Sequence, residues 1–232
     1  MRKRSKLYKA RLAAIDTQKT YPIAEGMSAI KKMPACKFDE TVEIACRLGV
    51  DTKQSDQVVR GAVSLPHGTG KSMRVVVIAS GDAATAAQAA GADHVGFEEL
   101  LERIKGGWLD FDIMIATPAA MQKVRTLGKV LGPRGLMPNP KTGTVTDDTA
   151  QAVKEAKAGR VEYRADKGGC VHVPVGKLSF PAEKLADNAM AVLHALMRAR
   201  PATAKGVYLL SATASSTMSP GVRLDIRELV KA

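Results

Sequence analysis

The sequence predicts an α+β fold in which a split outer domain, an antiparallel sheet backed by helices, is interrupted by an inserted α/β domain with a parallel sheet. Three observations carry that expectation. Segments before residue 67 and after residue 160 alternate apolar and polar side chains with a period of two. The middle of the chain instead strings short β-branched runs between helical ones. The charge divides along the same lines, so the expected boundaries are 1–67 and 160–232 for the outer domain and 68–159 for the insert.

In the outer parts, Glu40 to Leu48 places Val42, Ile44, Cys46 and Leu48 on one face and Thr41, Glu43, Ala45 and Arg47 on the other. A strand of that kind has one buried and one wet face. The same period recurs in Val161 to Arg164, in Val171, Val173 and Val175, and in Val222, Leu224 and Ile226, opposite Arg223, Asp225 and Arg227. Helices are expected over Leu7 to Ile15, over Pro22 to Met33 with Ile23, Met27 and Ile30 inward and Pro34 as the stop, and over Pro181 to Arg198. In the last, Leu185, Ala189, Val192, Leu193 and Leu196 form one apolar stripe.

In the middle, Arg74 to Ala79 reads as a buried strand, Asp82 to Ala90 as an Ala-rich helix stopped by Gly91, and Asp93 to Gly96 as a short strand. Phe97 to Lys105 is an expected helix, Asp112 to Thr117 a strand, Pro118 to Leu127 a helix, and Asp147 to Ala158 a last helix ended by Gly159. Such alternation predicts parallel strands covered by helices.

Composition narrows the function. At 232 residues with 45% hydrophobic side chains the chain can bury a real core, and no window has the 18 or so unbroken apolar residues of a membrane span. The basic start, Met1 to Lys6, runs into the amphipathic Leu7 to Ile15, which is unlike a secretory signal and points to the cytoplasm. Cys36, Cys46 and Cys170 have no C-x-x-C spacing, so neither a disulfide framework nor a zinc site is indicated. A net charge of +12 calls for a polyanion, and the first part, the insert and the last part carry +6, +1 and +5 of it. Only 4% aromatic residues argues against stacking platforms for single strands, so structured RNA bound to the outer domain is the expected partner.

Two motifs suggest an enzyme and fail on context. His67-Gly68-Thr69-Gly70-Lys71-Ser72 ends like a phosphate-binding GxxxxGK[ST] loop, but the first glycine position is Leu65 and a strand, not a helix, follows. This string reads better as a flexible hinge between domains. Ser80-Gly81-Asp82-Ala83, after the first inner strand, lacks GxGxxG. A nucleotide-dependent enzyme built on the insert is thus the competing reading. His67, His94, His172 and His194 are scattered and fit no triad or metal spacing; no cofactor is expected.

Three turns read as contact surfaces instead. Gly132 to Val145 (GPRGLMPNPKTGTV) is too rich in Pro and Gly for regular structure, and Arg134 and Lys141 give it charge for a secondary RNA or interdomain role. Ala165-Asp166-Lys167-Gly168-Gly169 joins two alternating strands, which puts Lys167 at an expected hairpin tip. Ser215 to Gly221 packs hydroxyls beside the apolar Met218, a set able to bond phosphate or ribose and cover a base or sugar.

Together with Phe38-Asp39-Glu40-Thr41-Val42-Glu43, Ser55-Asp56-Gln57, Arg60-Gly61, Val175-Gly176-Lys177, Ser179-Phe180 and Thr217-Met218, these strings make the chain resemble the bacterial large-subunit ribosomal protein L-one family, the protein of the mobile stalk. The resemblance runs over essentially the whole chain. It implies a split RNA-binding domain with a Rossmann-like insert and no enzymatic activity. It implies binding to large-subunit ribosomal RNA, help in releasing deacylated tRNA from the exit site, and repression of the protein's own operon through its mRNA, by a chain that is monomeric when free. Carried onto this sequence, the implied RNA contacts are Lys37, Phe38, Thr41, Glu43, Asp166, Lys167, Gly168, Thr217, Met218 and Ser219. The family usually has glycine at the last of these, so Ser219 is a departure in the turn where backbone approaches RNA.

Overall fold

The computed structural model describes residues 4–227, apart from the side chains of Ser55 and Lys141; Met1, Arg2 and Lys3 of the basic start lie outside the described residues. In chain order its elements are α1 (Lys6–Ala13), α2 (Ile23–Lys32), β1 (Thr41–Leu48), β2 (Arg60–Ser64), β3 (Val75–Ile78), α3 (Asp82–Ala89), β4 (His94–Gly96), α4 (Glu98–Lys105) and β5 (Ile113–Ala116). There follow α5 (Met121–Val124), α6 (Gly128–Leu131), α7 (Thr149–Ala158), β6 (Arg160–Arg164), β7 (Cys170–Lys177), α8 (Ala182–Arg198), β8 (Leu209–Ser216) and β9 (Val222–Leu224). Packing divides the chain into two compact units, residues 1–70 with 161–232 and residues 71–160, called outer and inner below.

The outer unit is built on an antiparallel sheet of order β7-β1-β8-β9. β1 alternates as its sequence requires: Val42, Ile44, Cys46 and Leu48 are buried, Glu43 and Arg47 exposed. The buried face meets α2 through Met27 and Ile30 and α8 through Leu185, Ala189, Val192, Leu193 and Leu196. Each of these side chains larger than alanine contributes about 1.5–3 kcal/mol by leaving water.

The inner unit holds a parallel sheet of order β4-β3-β5. Val76 and Ile78 of β3 join one apolar cluster with Leu101 and Ile104 of α4, while Val75 and Val77 join another with Ala87 of α3 and Val153 of α7. Both faces are covered, as parallel strands require. Asp148 caps α7 by accepting from the Gln151 N–H, and Gly159 ends it at φ 100°, a left-handed value that favours glycine.

The α+β class is as expected, and several details are not. Val161 to Arg164 does not join the main sheet: β6 pairs with β2 in a separate two-stranded ribbon. Ile226 packs on the core beyond the end of β9. The expected helix from Pro118 starts only at Met121 and gives way to a 3-10 turn at Arg125–Leu127 before α6. The hinge string is anchored at its start: the Asn188 side chain on α8 accepts from the His67 N–H at 3.1 Å and donates to the Gly68 carbonyl at 3.0 Å. Among the described residues no helix is long and apolar enough to cross a membrane.

Candidate nucleic-acid interface

β1 organises the candidate residues. At its start the Thr217–Ser219 turn, which joins β8 to β9, docks onto Thr41: the Thr217 N–H donates to the Thr41 carbonyl at 3.1 Å, and the Thr41 N–H donates to the Thr217 hydroxyl at 3.1 Å. Lys177, opposite Thr41 on β7, donates its amine to the Thr41 hydroxyl at 2.8 Å. Just before β1, Asp39 accepts from the Ser179 N–H and hydroxyl at 3.1 and 2.8 Å, which braces the segment carrying Lys37 and Phe38. Phe38 and Met218 are 52% and 53% exposed, apolar side chains left in water beside hydroxyls and amines. That combination suits the sugar and base edges of folded RNA.

Ser219 does not disturb this turn. Its hydroxyl accepts from the Ser216 N–H at 2.8 Å and lies 2.9 Å from the Pro220 carbonyl, and no non-glycine residue has positive φ among those described. The Ser219 side chain is spent on closing its own turn.

At the far end of β1 sits the second group. Asp166 Oδ1 accepts from the Gly168 and Cys170 N–H groups, both at 2.8 Å, so much of what Asp166 does is shape the loop that exposes Lys167 and Gly168. The Lys167 carbonyl accepts from the Thr52 hydroxyl at 2.8 Å, and the Leu48 N–H donates to Gly169 at 2.8 Å. The expected hairpin is absent: the turn is tight, but β6 and β7 on either side belong to different sheets.

Seven residue steps of about 3.3 Å put roughly 23 Å between the two groups. The open face of the sheet fills that span. Glu43 lies opposite Ser215 and Pro174, Ala45 opposite Thr213 and His172, and Arg47 opposite Ser211 and Cys170. The sequence points to Glu43 and to the Ser215 to Gly221 turn, and does not single out Arg47, His172, Lys177, Ser211 or Thr213 as contacts. Arg47 had been legible on the polar face of its strand; the β8 residues had only a weak alternation of Ser and Thr with Ala.

The one strongly shifted carboxyl nearby is Glu40, held at about 2 chiefly by its bonds to the Arg11 guanidinium, then by Ser216 and the Met218 N–H. It is ionised at neutral pH.

In the inner unit the phosphate-loop reading fails on geometry. The Lys71 amine lies 2.6 Å from Asp112, whose carboxyl it pulls down to about 2, and β3 follows with no intervening helix. Leu136 and Met137 of the Pro/Gly-rich segment pack on the inner core, and its end bridges β5 at Ala116 and Val145. Arg134 is exposed, and Lys141 lies in a 3-10 turn at Pro140–Thr142. Between Asp112 and Asp147 the sequence has five cations, Lys123, Arg125, Lys129, Arg134 and Lys141, and no acid, so the unit's near neutrality hides a basic stretch. His67 pairs with Asp187 at 3.0 Å and His94 stacks edge-on to Trp108; no cluster of metal-ligating side chains occurs among the described residues.

Comparison with known proteins places the chain in a family. The chain is 58% identical over 221 residues to the large ribosomal subunit protein uL1 of Methylobacillus flagellatus, covering 95% of this chain and 96% of that protein. It is 56% identical over 225 residues to the large ribosomal subunit protein uL1 of an Azoarcus species, with 97% of each covered. The model of the ribosomal protein L1p/L10e family matches residues 29–220. That family consists of ribosomal proteins, not enzymes, which removes the nucleotide-dependent alternative. With a family match over most of its length and two relatives above half identity, the chain belongs to the ribosomal protein L1p/L10e family.

Proposed function

We propose that this protein is a structural component of the large ribosomal subunit in the cytoplasm and binds its RNA through the open face of the outer sheet. The observation that carries the reading is the open, mostly polar face between the Thr217–Ser219 turn and the Asp166–Gly168 turn, with its strand positions held in register by their neighbours. Lys37, Lys167 and Lys177 supply phosphate contacts, Phe38 and Met218 apolar ones, and Glu43 accepts from a ribose 2′-OH. The finer assignment is binding to the RNA of the mobile stalk. We further assign release of deacylated tRNA from the exit site, supported by the acid-free basic stretch around Arg134. Repression of its own operon follows if the leader mRNA copies the ribosomal target, with the free protein monomeric.

Gel shifts with stalk RNA, the operon leader and random duplex, over a range of salt, test this. Thr217→Val with Met218→Ala should cost about 1–3 kcal/mol of specific binding at unchanged salt slope, the scale of lost buried bonds and contacts. A double variant that binds stalk RNA like the parent removes the turn from the site.

A further inference from the structure

The outer unit contains a buried ion pair that bonds to two segments at the Thr41 end of the site, the one that carries Lys37 and Phe38 and the turn that presents Met218. Arg11 is 1% exposed and Glu40 0%. The guanidinium donates to Glu40 Oε1 at 2.5 Å, to Glu40 Oε2 at 3.0 Å and to the Pro34 carbonyl at 2.8 Å. Glu40 Oε2 also accepts from the Ser216 hydroxyl at 2.7 Å and from the Met218 N–H at 3.1 Å. One carboxylate thus joins α1, the Pro34–Glu40 segment that carries Lys37 and Phe38, the start of β1, and the turn that presents Met218.

The pair is also the buried anchor of α1. Arg11 is the one buried residue of that helix; Leu7, Tyr8 and Leu12 are only half-buried, and the buried Ile15 lies past its end. A helix with an apolar stripe docks by burial, whereas this one docks by a charge that must stay paired. Buried pairs are poor stabilisers compared with apolar side chains of the same volume. Their advantage is direction: two fixed oxygens dictate where the Met218 N–H and the Ser216 hydroxyl point, which packed methyl groups do not.

We propose that Arg11 and Glu40 are positioning residues for RNA recognition, holding the Lys37–Phe38 segment and the Thr217–Ser219 turn in one binding geometry without contacting RNA themselves. The inference rests on the RNA-binding reading of this face and adds a buried layer that sets its specificity. It separates two kinds of residue at the site. Side chains on the surface touch RNA, and the ion pair beneath fixes their spacing.

The test uses the full chain, with deproteinised bacterial large-subunit ribosomal RNA as target and random-sequence duplex RNA as the non-specific reference. Arg11→Met combined with Glu40→Leu replaces the pair by apolar side chains of similar size. The expected result is a folded protein with a melting temperature near the parent's and at least tenfold weaker binding to ribosomal RNA. Binding to random duplex and the salt slope should be unchanged, and amide exchange at Met218 should be faster. Ser216→Ala, which keeps the pair and removes one bond to it, should shift target binding and Met218 exchange the same way by about threefold. It carries the test if the double variant does not fold. A folded double variant, or failing that a Ser216→Ala protein, with parental binding and parental exchange overturns the proposal. A parent that prefers ribosomal RNA no more than random duplex overturns the RNA reading instead, and the exchange measurement still judges the positioning role.

Discussion

β1 and β3 are both flanked by partners on each side, yet β1 is buried at every second residue and β3 at every residue. The outer sheet has helices on one face only, so half of its side chains stay in water, locked in register across three strands. The inner sheet is covered twice and offers only its loops. A sheet with one uncovered face is a surface of fixed geometry on which charge and hydroxyls keep their spacing, and rigid spacing is what recognition of folded RNA requires. Near neutrality and double coverage suit the inner unit to a supporting part.

The sharpest break of that comparison is to separate the units. Residues 1–70 joined to 161–232 by a short Gly/Ser linker should keep specific binding to ribosomal RNA. Residues 71–160 alone should fall to the non-specific level, a difference on the order of a thousandfold. Equal binding by the two pieces, measured by gel shift in one buffer, would end the distinction.

Acid should distinguish them next. Glu40 is pulled from 4.5 to about 2 by its bonds to Arg11, so the folded state favours the charged form. Its contribution is complete above about pH 4.5 and disappears as pH falls toward 2, on the order of 3 kcal/mol. Asp112 of the inner unit is lowered from 3.8 to about 2 by Lys71, a smaller loss over a lower window and reduced further because Lys71 is more than half exposed. The single tryptophan, Trp108, reports on the inner unit, so the outer unit's amide protection should fail at a higher pH than Trp108 fluorescence changes. Coincident transitions would show the two units to be one acid-sensitive body.

The smallest effect comes from removing one lysine from each unit. Lys167→Ala should reduce the salt slope of RNA binding by about 0.9, one phosphate's worth. Lys71→Ala should leave both affinity and slope alone, and calorimetry with ATP or GTP should show no heat in parent or variant. A salt slope that fell equally in both would mean that charge alone drives binding.

The fold was readable in sequence where periodicity was strong. β1, β7 and α8 follow from apolar residues at fixed spacing, and β3 from an unbroken β-branched run. β8 escaped because Leu-Leu-Ser-Ala-Thr-Ala-Ser-Ser has little strand propensity; it is a strand because β1 and β9 offer it hydrogen bonds on both edges. Tertiary pairing likewise put β6 beside β2, which no local pattern announces. At the candidate site, exposed residues such as Glu43 and Lys167 stood out by strand face or turn chemistry. Arg11 did not: it lies among Lys6, Lys9 and other cations at the basic start and looks like one more solvated charge until Glu40, 29 residues on, is seen against it.

The placement of β1 between β7 and β8 has a consequence for how the protein is made. Both partners of β1 lie beyond the inner unit in sequence, and the last bonds of the Glu40 network come from Ser216 and Met218, 176 and 178 residues later. As the chain leaves the ribosome, the contiguous residues 71–160 can close on themselves while β1 waits, its Val42, Ile44, Cys46 and Leu48 still unpaired. Contacts so distant predict that the outer unit folds after the inner one, with the apolar side chains of β1 exposed in the meantime. The Thr217–Ser219 turn, in the RNA site proposed above, therefore forms only on a chain synthesised past residue 218, and an unfinished copy lacks that part of the proposed site.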